Sequence, residues 1–495
     1  GRLEGQSLVN LDTGEPFASV GMPALTANAY LGGFGIAAAL SAGADVVVTG
    51  RVTDAALVVG PAAWWHGWTP DDLDPLSGAV VAGHVIECGA QATGGNYAFF
   101  TEVPGLAHVG FPIAEVAADG SAVITKHPGT GGCVSVGTVT AQLLYEIGGP
   151  AYANPDVTAR FDTITLAQEG PDRVAVSGVR GERPPETLKV ALNYLGGFRN
   201  SMTLVLTGLD LDEKARILEE QLWAAVPGGR AAFETVDVRL LRHGPVEATA
   251  DPAVEQHGLQ AELRVTVMDR DPKKVGKAFT APAVELALAS VPGLYPTAPP
   301  GEPTPYGVYW PTTVPRSLVE ERVTLDGTPV PLTPPPSPHQ GTHVANRPPW
   351  GALHGEAPRQ AEPVEGATVA VPLGLLFGAR SGDKGGAANV GVWARSDAAY
   401  AWLEWFLTAD RVAGLLPEAR GLRIDVHRFP NLRAVNVVVH GLLGRGVAAN
   451  TSIDPQAKGL GEYLRARVVD VPTALLDADE GRPTAVYSPH GSLDG

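Results

Sequence analysis

An α/β fold in more than one domain is what this sequence predicts, and three observations carry the prediction. The chain is 495 residues long, more than one simple hydrophobic core supports. Hydrophobic residues make up 44% and charged residues 18%, a balance that folds into cores and does not stay disordered. Helical and strand patterns alternate through the first part of the chain, the rhythm of a doubly wound (Rossmann-like) sheet.

Residues 35–43 (GIAAALSAG) read as a short helix and 45–49 (DVVVT) as a buried strand of the parallel-sheet kind. Gly50 to Asp54 then turns the chain into the helical stretch AALVVG. A second helix is expected over 78–89 (GAVVAGHVIECG), ending at GAQATGGN. From Phe111 a strand, an Asp119-Gly120 turn and a second strand form a hairpin, followed by a helix in GTVTAQLLYEIGG. Strands are expected in RFDTITLAQ and DRVAVSGV. Two strand–helix cycles follow: SMTLVLTGL with DEKARILEEQLWAAV, then AELRVTVMDR with VGKAFTAPAVELALA. Together they predict a split β-α-β layer.

These patterns predict a core over 1–295, doubly wound in 1–150 and an α/β sandwich, an α+β layer beside it, in 151–295. Residues 296–366 hold PTPYGVYWPTTVP and PVPLTPPPSPHQ and read as a Pro-rich linker, partly polyproline II. Four strand-like runs and two helical runs in 367–487 predict a small α+β domain.

The net charge of −17 disfavours nucleic acid or an anionic membrane as partner, since both repel such a surface. No run of about twenty apolar residues is present to span a membrane, and the opening GRLEGQSLVN lacks the blocks of a signal peptide. Two cysteines, Cys88 and Cys133, are too few for a disulfide framework, so a reducing, cytoplasmic setting is expected.

Ligands of doubly wound sheets bind beyond the carboxyl ends of the strands, which singles out Arg51 and Asp54 after DVVVT. Arg51 suits a carboxylate or phosphate, and Asp54 suits proton transfer, although an Asp opening a helix is as readily an N-cap. His84 and Glu87 share one helix face, fit for an acid/base pair or a buried hydrogen bond; without a second ligand pair, no metal is predicted. Cys88 reads as a small buried residue.

Glycine-rich stretches carry more weight. Gly94-Gly95-Asn96 is one, and Gly129-Thr130-Gly131-Gly132, preceded by Lys126 and His127, is another. Backbone N–H groups at 129–132 are expected to cradle an anion at a helix start, with His127 as the acid or base. Neither matches GxGxxG or the Walker pattern, so no nucleotide cofactor is predicted. Arg199 and Asn200 follow a further Gly pair. Arg380, Asp383 and Lys384 lie in RSGDKGG, read as a compact loop between two strands or, more simply, as a solvated charge pair.

Several stretches occur in an order that resembles one family: LTANAYLGGFGI, ADVVVTGRVTDAALVVGP, GHVIECGAQATGGNYAFF, TKHPGTGG, YANPDVTARFDT and LNYLGGFRNS. They are similar to the acyclic terpene utilization protein AtuA family. GARSGDKGGAANVGVWAR resembles the ferredoxin-like domain appended to it. The resemblance implies a role in breakdown of acyclic terpenoids or branched acids carried as acyl-CoA thioesters. It also implies that a further N-terminal α/β stretch of roughly a hundred residues precedes this chain, the missing half of a doubly wound domain.

The expected function is a lyase or hydratase acting on an acyl-CoA or carboxylate. Asp54, Glu87 or His127 would move the proton, and Arg51, Arg199 and the 129–132 loop would hold the anionic part. The alternative is a non-catalytic accessory subunit that binds an acyl-CoA carboxylase or hydratase. A homo-oligomer is expected in either case.

Overall fold

The computed structural model describes residues 5–244, 259–332 and 366–477. Its N-terminal part begins with β1 (Ala24–Ala29) and three helices, α1 (Phe34–Ser41), α2 (Ala56–His66) and α3 (Leu73–Ile86). A hairpin of β2 (Pro112–Val116) and β3 (Ala122–Lys126) leads to α4 (Val136–Leu143). Short strands β4 (Ala151–Ala153), β5 (Thr158–Arg160), β6 (Thr165–Gly170), β7 (Arg173–Ser177) and β8 (Arg180–Glu182) complete it.

Helix α3 is the axis of this part because its residues are small or apolar on every side, and Leu76 through Val85 are all buried. Its glycines are positions of close approach. A Cβ on Gly78 would stand 1.9 Å from the Gly120 carbonyl oxygen, and one on Gly83 would stand 2.7 Å from Ala55 Cα. The hairpin forms as expected, with Gly120 at φ +83° and the Asp119 carboxylate accepting from the Ser121 N–H. It belongs to an antiparallel sheet ordered β2-β3-β7-β6.

The doubly wound sheet expected in 1–150 is not found among the described residues. Residues 45–49 are irregular, and Val46 and Val48 stand 80% and 91% exposed. Parallel pairing in 1–150 is reduced to two isolated bridges among the described residues, Leu31 with Val52 and Val109 with Gly131. A buried parallel strand needs a neighbour on each edge and cover on each face. The nearest strand, β1, is instead committed antiparallel to a distant partner, β9.

That partner, β9 (Thr187–Thr207), is 21 residues long and organises the middle layer. After it come α5 (Leu211–Ala225), β10 (Thr235–Arg242), β11 (Gln260–Asp269), α6 (Lys277–Leu286), β12 (Leu294–Pro296) and β13 (Thr304–Pro315). Antiparallel β11 lies between β9 and β10, so β9-α5-β10 is a split β-α-β unit; β12 pairs the other edge of β9. Leu218, Leu222 and Phe279 of the helices pack on Leu204, Leu206, Leu263 and Val265 of the sheet.

The linker expectation fails over 304–315, because β13 pairs with the first half of β9. Tyr306, Val308 and Trp310 alternate inward and are buried. The prolines that suggested a linker are tolerated because β13 pairs on one edge only. A two-stranded hairpin, Val323–Leu325 with Thr328–Val330, follows. The rest of the expected linker, 333–365, and the end of the last domain, 478–487, lie outside the described residues.

The C-terminal part is an antiparallel sheet ordered β14 (Phe377–Lys384), β15 (Ala387–Ala394), β17 (Ala434–Val439), β16 (Ile424–Phe429), with α7 (Asp397–Phe406) and α8 (Leu460–Arg465) against it. All of β15 and β17 is buried. Arg380, Asp383 and Lys384 therefore lie on a strand and not in a loop. The turn is Gly385-Gly386, with Gly385 at φ +68°.

Candidate functional site

The site forms where β14 and β15 meet the end of α4. Ser135 and Thr138 start α4 with a capping box. Its carboxyl end is closed from the other domain: Asn389 Nδ2 donates to the Leu144 carbonyl at 2.7 Å, and the Glu146 N–H donates to Asn389 Oδ1 at 2.9 Å. Asn436, hydrogen-bonded to Asn389, donates to the Gly148 carbonyl at 2.6 Å. Leu144 and Asn389 are thus joined across 245 positions of sequence. Such a network satisfies carbonyls that would otherwise be orphaned at a helix end.

A cavity of about 450 Å³ opens at this junction. Tyr30 follows β1, Thr53 and Asp54 precede α2, Glu146 follows α4, Tyr152 is on β4, Lys189 on β9, Tyr309 on β13, and Asp383 and Lys384 on β14. Lys384 Nζ donates to the Glu146 carbonyl and lies 5.6 Å from the centre of the Tyr152 ring. Lys189 Nζ is 5.5 Å from the Tyr30 ring and 5.9 Å from the Tyr309 ring.

Burial, and then the charge on Lys189, lowers the Lys384 ammonium to about 8 against the pull of Glu146, Glu87 and Asp383. Burial, with the Asp54 carboxylate beside it, holds the Glu87 carboxyl well above the usual carboxylate range. Burial, then Lys384, drives His84 down to about 4, so its imidazole is neutral. Its Nδ1 is 3.8 Å from Glu87 Oε1, its Nε2 has no hydrogen-bond partner, and its ring rests against Tyr152 and Phe161. Burial alone would raise Glu146; hydrogen bonds from Lys458 and Tyr145 and the charge on Lys384 outweigh it and hold the carboxylate low.

A second cavity of about 670 Å³ adjoins the first and is lined by Gln91, Asn96, Tyr97, Tyr145, Arg380, Ser381 and Lys458 among others. Lys458 Nζ lies 2.8 Å from Glu146 Oε1, so this pair stands between the two spaces. Arg380 donates to Gln91 Oε1 at 2.6 Å, lies 4.5 Å from the centre of the Tyr145 ring, and leaves its Nε–H unpartnered. No ion pair to Arg380 occurs among the described residues, and burial lowers it below the ordinary guanidinium range. A half-buried cation held by neutral groups is ready for an anion.

Among the residues singled out from sequence, Asp54, Asp383 and Lys384 line the first cavity. Glu87 sits behind Asp54, and Arg51 lies at the rim, 4.0 Å from Asp54 and over the Tyr30 ring at 5.4 Å. Arg199 donates to the carbonyl of Ala448, a lining residue, and stacks on Tyr306. Asn96 and Arg380 line the second cavity; Gly95, beside Asn96, spends its N–H on the Ala90 carbonyl.

The 129–132 loop is placed differently from expectation. The N–H groups of Gly131, Gly132 and Cys133 donate to the carbonyls of His108, Pro104 and Thr93, so these three are bonded within the protein and do not cradle an anion. Thr130 N–H faces the His127 carbonyl at 3.4 Å. Gly131 and Gly132 are glycines because a Cβ would stand 2.0 Å from the Gly105 oxygen and 2.4 Å from the Thr93 oxygen. Lys126 is buried against the Thr130 carbonyl and Asp172, while His127 is exposed; neither lines either cavity. Gly129, at φ +79°, makes the turn. Asn200 is spent on the Val275 and Gly301 carbonyls.

Glu146, Tyr152, Lys189, Tyr309 and Lys458 were not foreseen. Lys189 carried a weak signal, a lone charge in the alternating run LKVALNY. The others had none, since each becomes part of a site only by docking of distant elements. No group of three His, Cys, Asp or Glu fit to hold a metal ion occurs among the described residues, and no described helix is long and apolar enough to cross a membrane.

Residues 2–325 match the family model described as Acyclic terpene utilisation family protein AtuA, and residues 371–470 match the AtuA ferredoxin-like domain. No curated protein and no solved structure matches the chain.

Proposed function

Since the chain belongs to the AtuA family of acyclic terpene utilisation and carries that family's ferredoxin-like domain, we propose that it is an enzyme of acyclic terpenoid or branched-acid breakdown. It moves a proton at a substrate carbonyl in the interdomain cavity. The observation that carries this reading is the Asp54–Glu87 carboxyl pair beside Lys384. Burial favours the protonated form of Glu87, which suits it as the acid, and Asp54, at the open side of the pair, takes the role of base. Lys189 stabilises charge developing on the carbonyl oxygen.

The substrate class we favour is an acyl-CoA thioester or free carboxylate, in a lyase or hydratase reaction. Arg380 in the second cavity would take an anionic group remote from the reacting carbon, and Arg51 and Arg199 lie around the first. The test is turnover of branched enoyl-CoA and hydroxyacyl-CoA substrates. Glu87→Gln and Asp54→Asn should each lower kcat by about 10²–10⁴-fold; unchanged turnover in both removes the assignment.

A second reading, an accessory subunit docked on an acyl-CoA enzyme, is supported by exposed Val46, Val48, Leu57 and Trp65, an apolar set uncommon on a free surface. The same set supports self-association. Light scattering of the purified protein separates these, because a monomer with no turnover favours the docked subunit. The unpaired Cys88 and Cys133 support a reducing compartment such as the cytoplasm.

A further inference from the structure

Two lysines line one cavity, and its walls are aromatic. Lys384 and Lys189 both border the first cavity with Tyr30, Tyr152 and Tyr309, and each lies over a tyrosine ring. A lysine next to a second cation and cut off from water loses its proton readily, which turns an ammonium into a nucleophile. Lys384 is half-buried and lines the same cavity as Lys189, and one of its N–H bonds is directed to the Glu146 carbonyl. The groups whose charge it feels are Lys189, Glu146, Glu87 and Asp383, and its shift to about 8 leaves a useful neutral fraction near physiological pH.

Charge stabilisation at a thioester needs only one ammonium, which Lys189 supplies at this cavity, so a second lysine set among its tyrosines is placed for another role. We propose that Lys384 forms a reversible imine with the aldehyde or ketone carbonyl of a branched acyclic substrate. This inference rests on the reading of the cavity as a catalytic site and names a substrate class for it. In the forward step the Nζ lone pair bonds to the carbonyl carbon while the C=O π pair goes to oxygen, which takes a proton passed from the Glu87 carboxyl through Asp54, its hydrogen-bond partner at the cavity wall. The nitrogen then returns a proton by the same path, the hydroxyl leaves as water with that proton, and the protonated imine C=N–H⁺ forms opposite the carboxylate left at Glu87. The balance is amine plus carbonyl plus one carboxyl proton to protonated imine plus water, with no oxidant or reductant. The imine withdraws electrons from the neighbouring carbon, which helps a C–C or C–H bond there to break.

The test is borohydride trapping on the intact protein. Incubation with citronellal, a branched acyclic aldehyde, followed by borohydride and peptide mass mapping, should place a secondary-amine adduct on Lys384. Its occupancy should exceed that of any other lysine by at least about tenfold, as expected for the most nucleophilic amine. Lys384→Arg should abolish that adduct. An even spread over exposed lysines, or an adduct at Lys384 no faster than at Lys273, overturns the proposal, and this outcome is read in the wild-type protein without any variant. Trapping requires no turnover, so it can fail while proton transfer by Asp54 and Glu87 stands, and the converse is equally visible.

Discussion

Lys458 and Glu146 are joined by a 2.8 Å ion pair that ties the C-terminal domain to the end of α4 and forms the wall between the two cavities. Tyr145 and Asp383 complete the cluster: Lys458 also donates to the Tyr145 hydroxyl and lies 3.6 Å from Asp383. Each partner of the main pair is about one third exposed, at 34% and 32%, so water screens the attraction in part. Lys458→Met should therefore lower stability by about 1–2 kcal/mol, mainly by leaving Glu146 half-buried and unpaired. Thermal unfolding of the two proteins checks it, and an unchanged midpoint would show the pair to be energetically neutral.

Asn389→Leu should cost more, about 2–4 kcal/mol, because it strands the Leu144 carbonyl and the Glu146 N–H in a dry interface. The same substitution should loosen the domain junction. Limited proteolysis should then release a C-terminal fragment from the variant under conditions that leave the wild type intact.

The glycines of the 129–132 loop should differ in cost by their surroundings. Gly131→Ala drives a Cβ to 2.0 Å from the Gly105 carbonyl oxygen, and backbone cannot step aside cheaply. A loss of about 3 kcal/mol or more is expected. Gly129→Ala meets nothing within 4 Å and suffers only the φ +79° backbone, roughly 1–2 kcal/mol. Urea unfolding of both variants reads the order; equal losses would contradict the close approach.

His84 sets a pH dependence whose sign follows from its burial. Its folded pKa, about 4, lies below its unfolded value of 6.5, so between these limits the unfolded chain binds the proton that the folded one excludes. Its contribution is thus full above about pH 6.5 and is progressively lost as pH falls toward 4. Glu87 and Asp156, both raised by burial, act oppositely in part of that range, so the comparison is with a variant. Relative to His84→Leu, wild type should lose up to about 3 kcal/mol on going from pH 7 to pH 4. A difference that stays constant with pH would show that His84 takes up its proton equally in the folded and unfolded states.

Much of the secondary structure was legible because it is written in local periodicity. Helices α1 to α5, the β2–β3 hairpin with its Asp-Gly turn, and strands β15, β16 and β17 of the last domain follow from spacing and turn residues alone. Other strands did not, β14 among them, which read as a loop. β1 and β13 owe their existence to β9, which pairs with both, and the three prolines in β13 hid a strand whose N–H groups on the outer edge need no partner. The opposite error occurred at 45–49, where DVVVT has strand residues and no strand to join. Strand propensity is realised only when a neighbour supplies hydrogen bonds.

The candidate site divides in the same way. Asp54, Glu87, Asp383 and Lys384 were visible as charged residues beside turns and helix ends, because chemistry-bearing side chains there depart from the apolar pattern. Glycine content at 129–132 was equally visible, but its meaning was not: a glycine that frees an N–H for an anion and one that lets two backbones touch look identical in sequence. Only the tertiary structure showed the N–H groups bonded to protein carbonyls. The sequence by itself determined the residue types, the family and most local elements, since these depend on neighbours a few positions away. The cavity was decided by docking Asn389 and Lys458 onto the end of α4. That contact joins residues more than two hundred positions apart, and long-range packing with its desolvation, which turns Lys384 and Glu87 from ordinary charges into reactive groups, leaves no periodic trace in the chain.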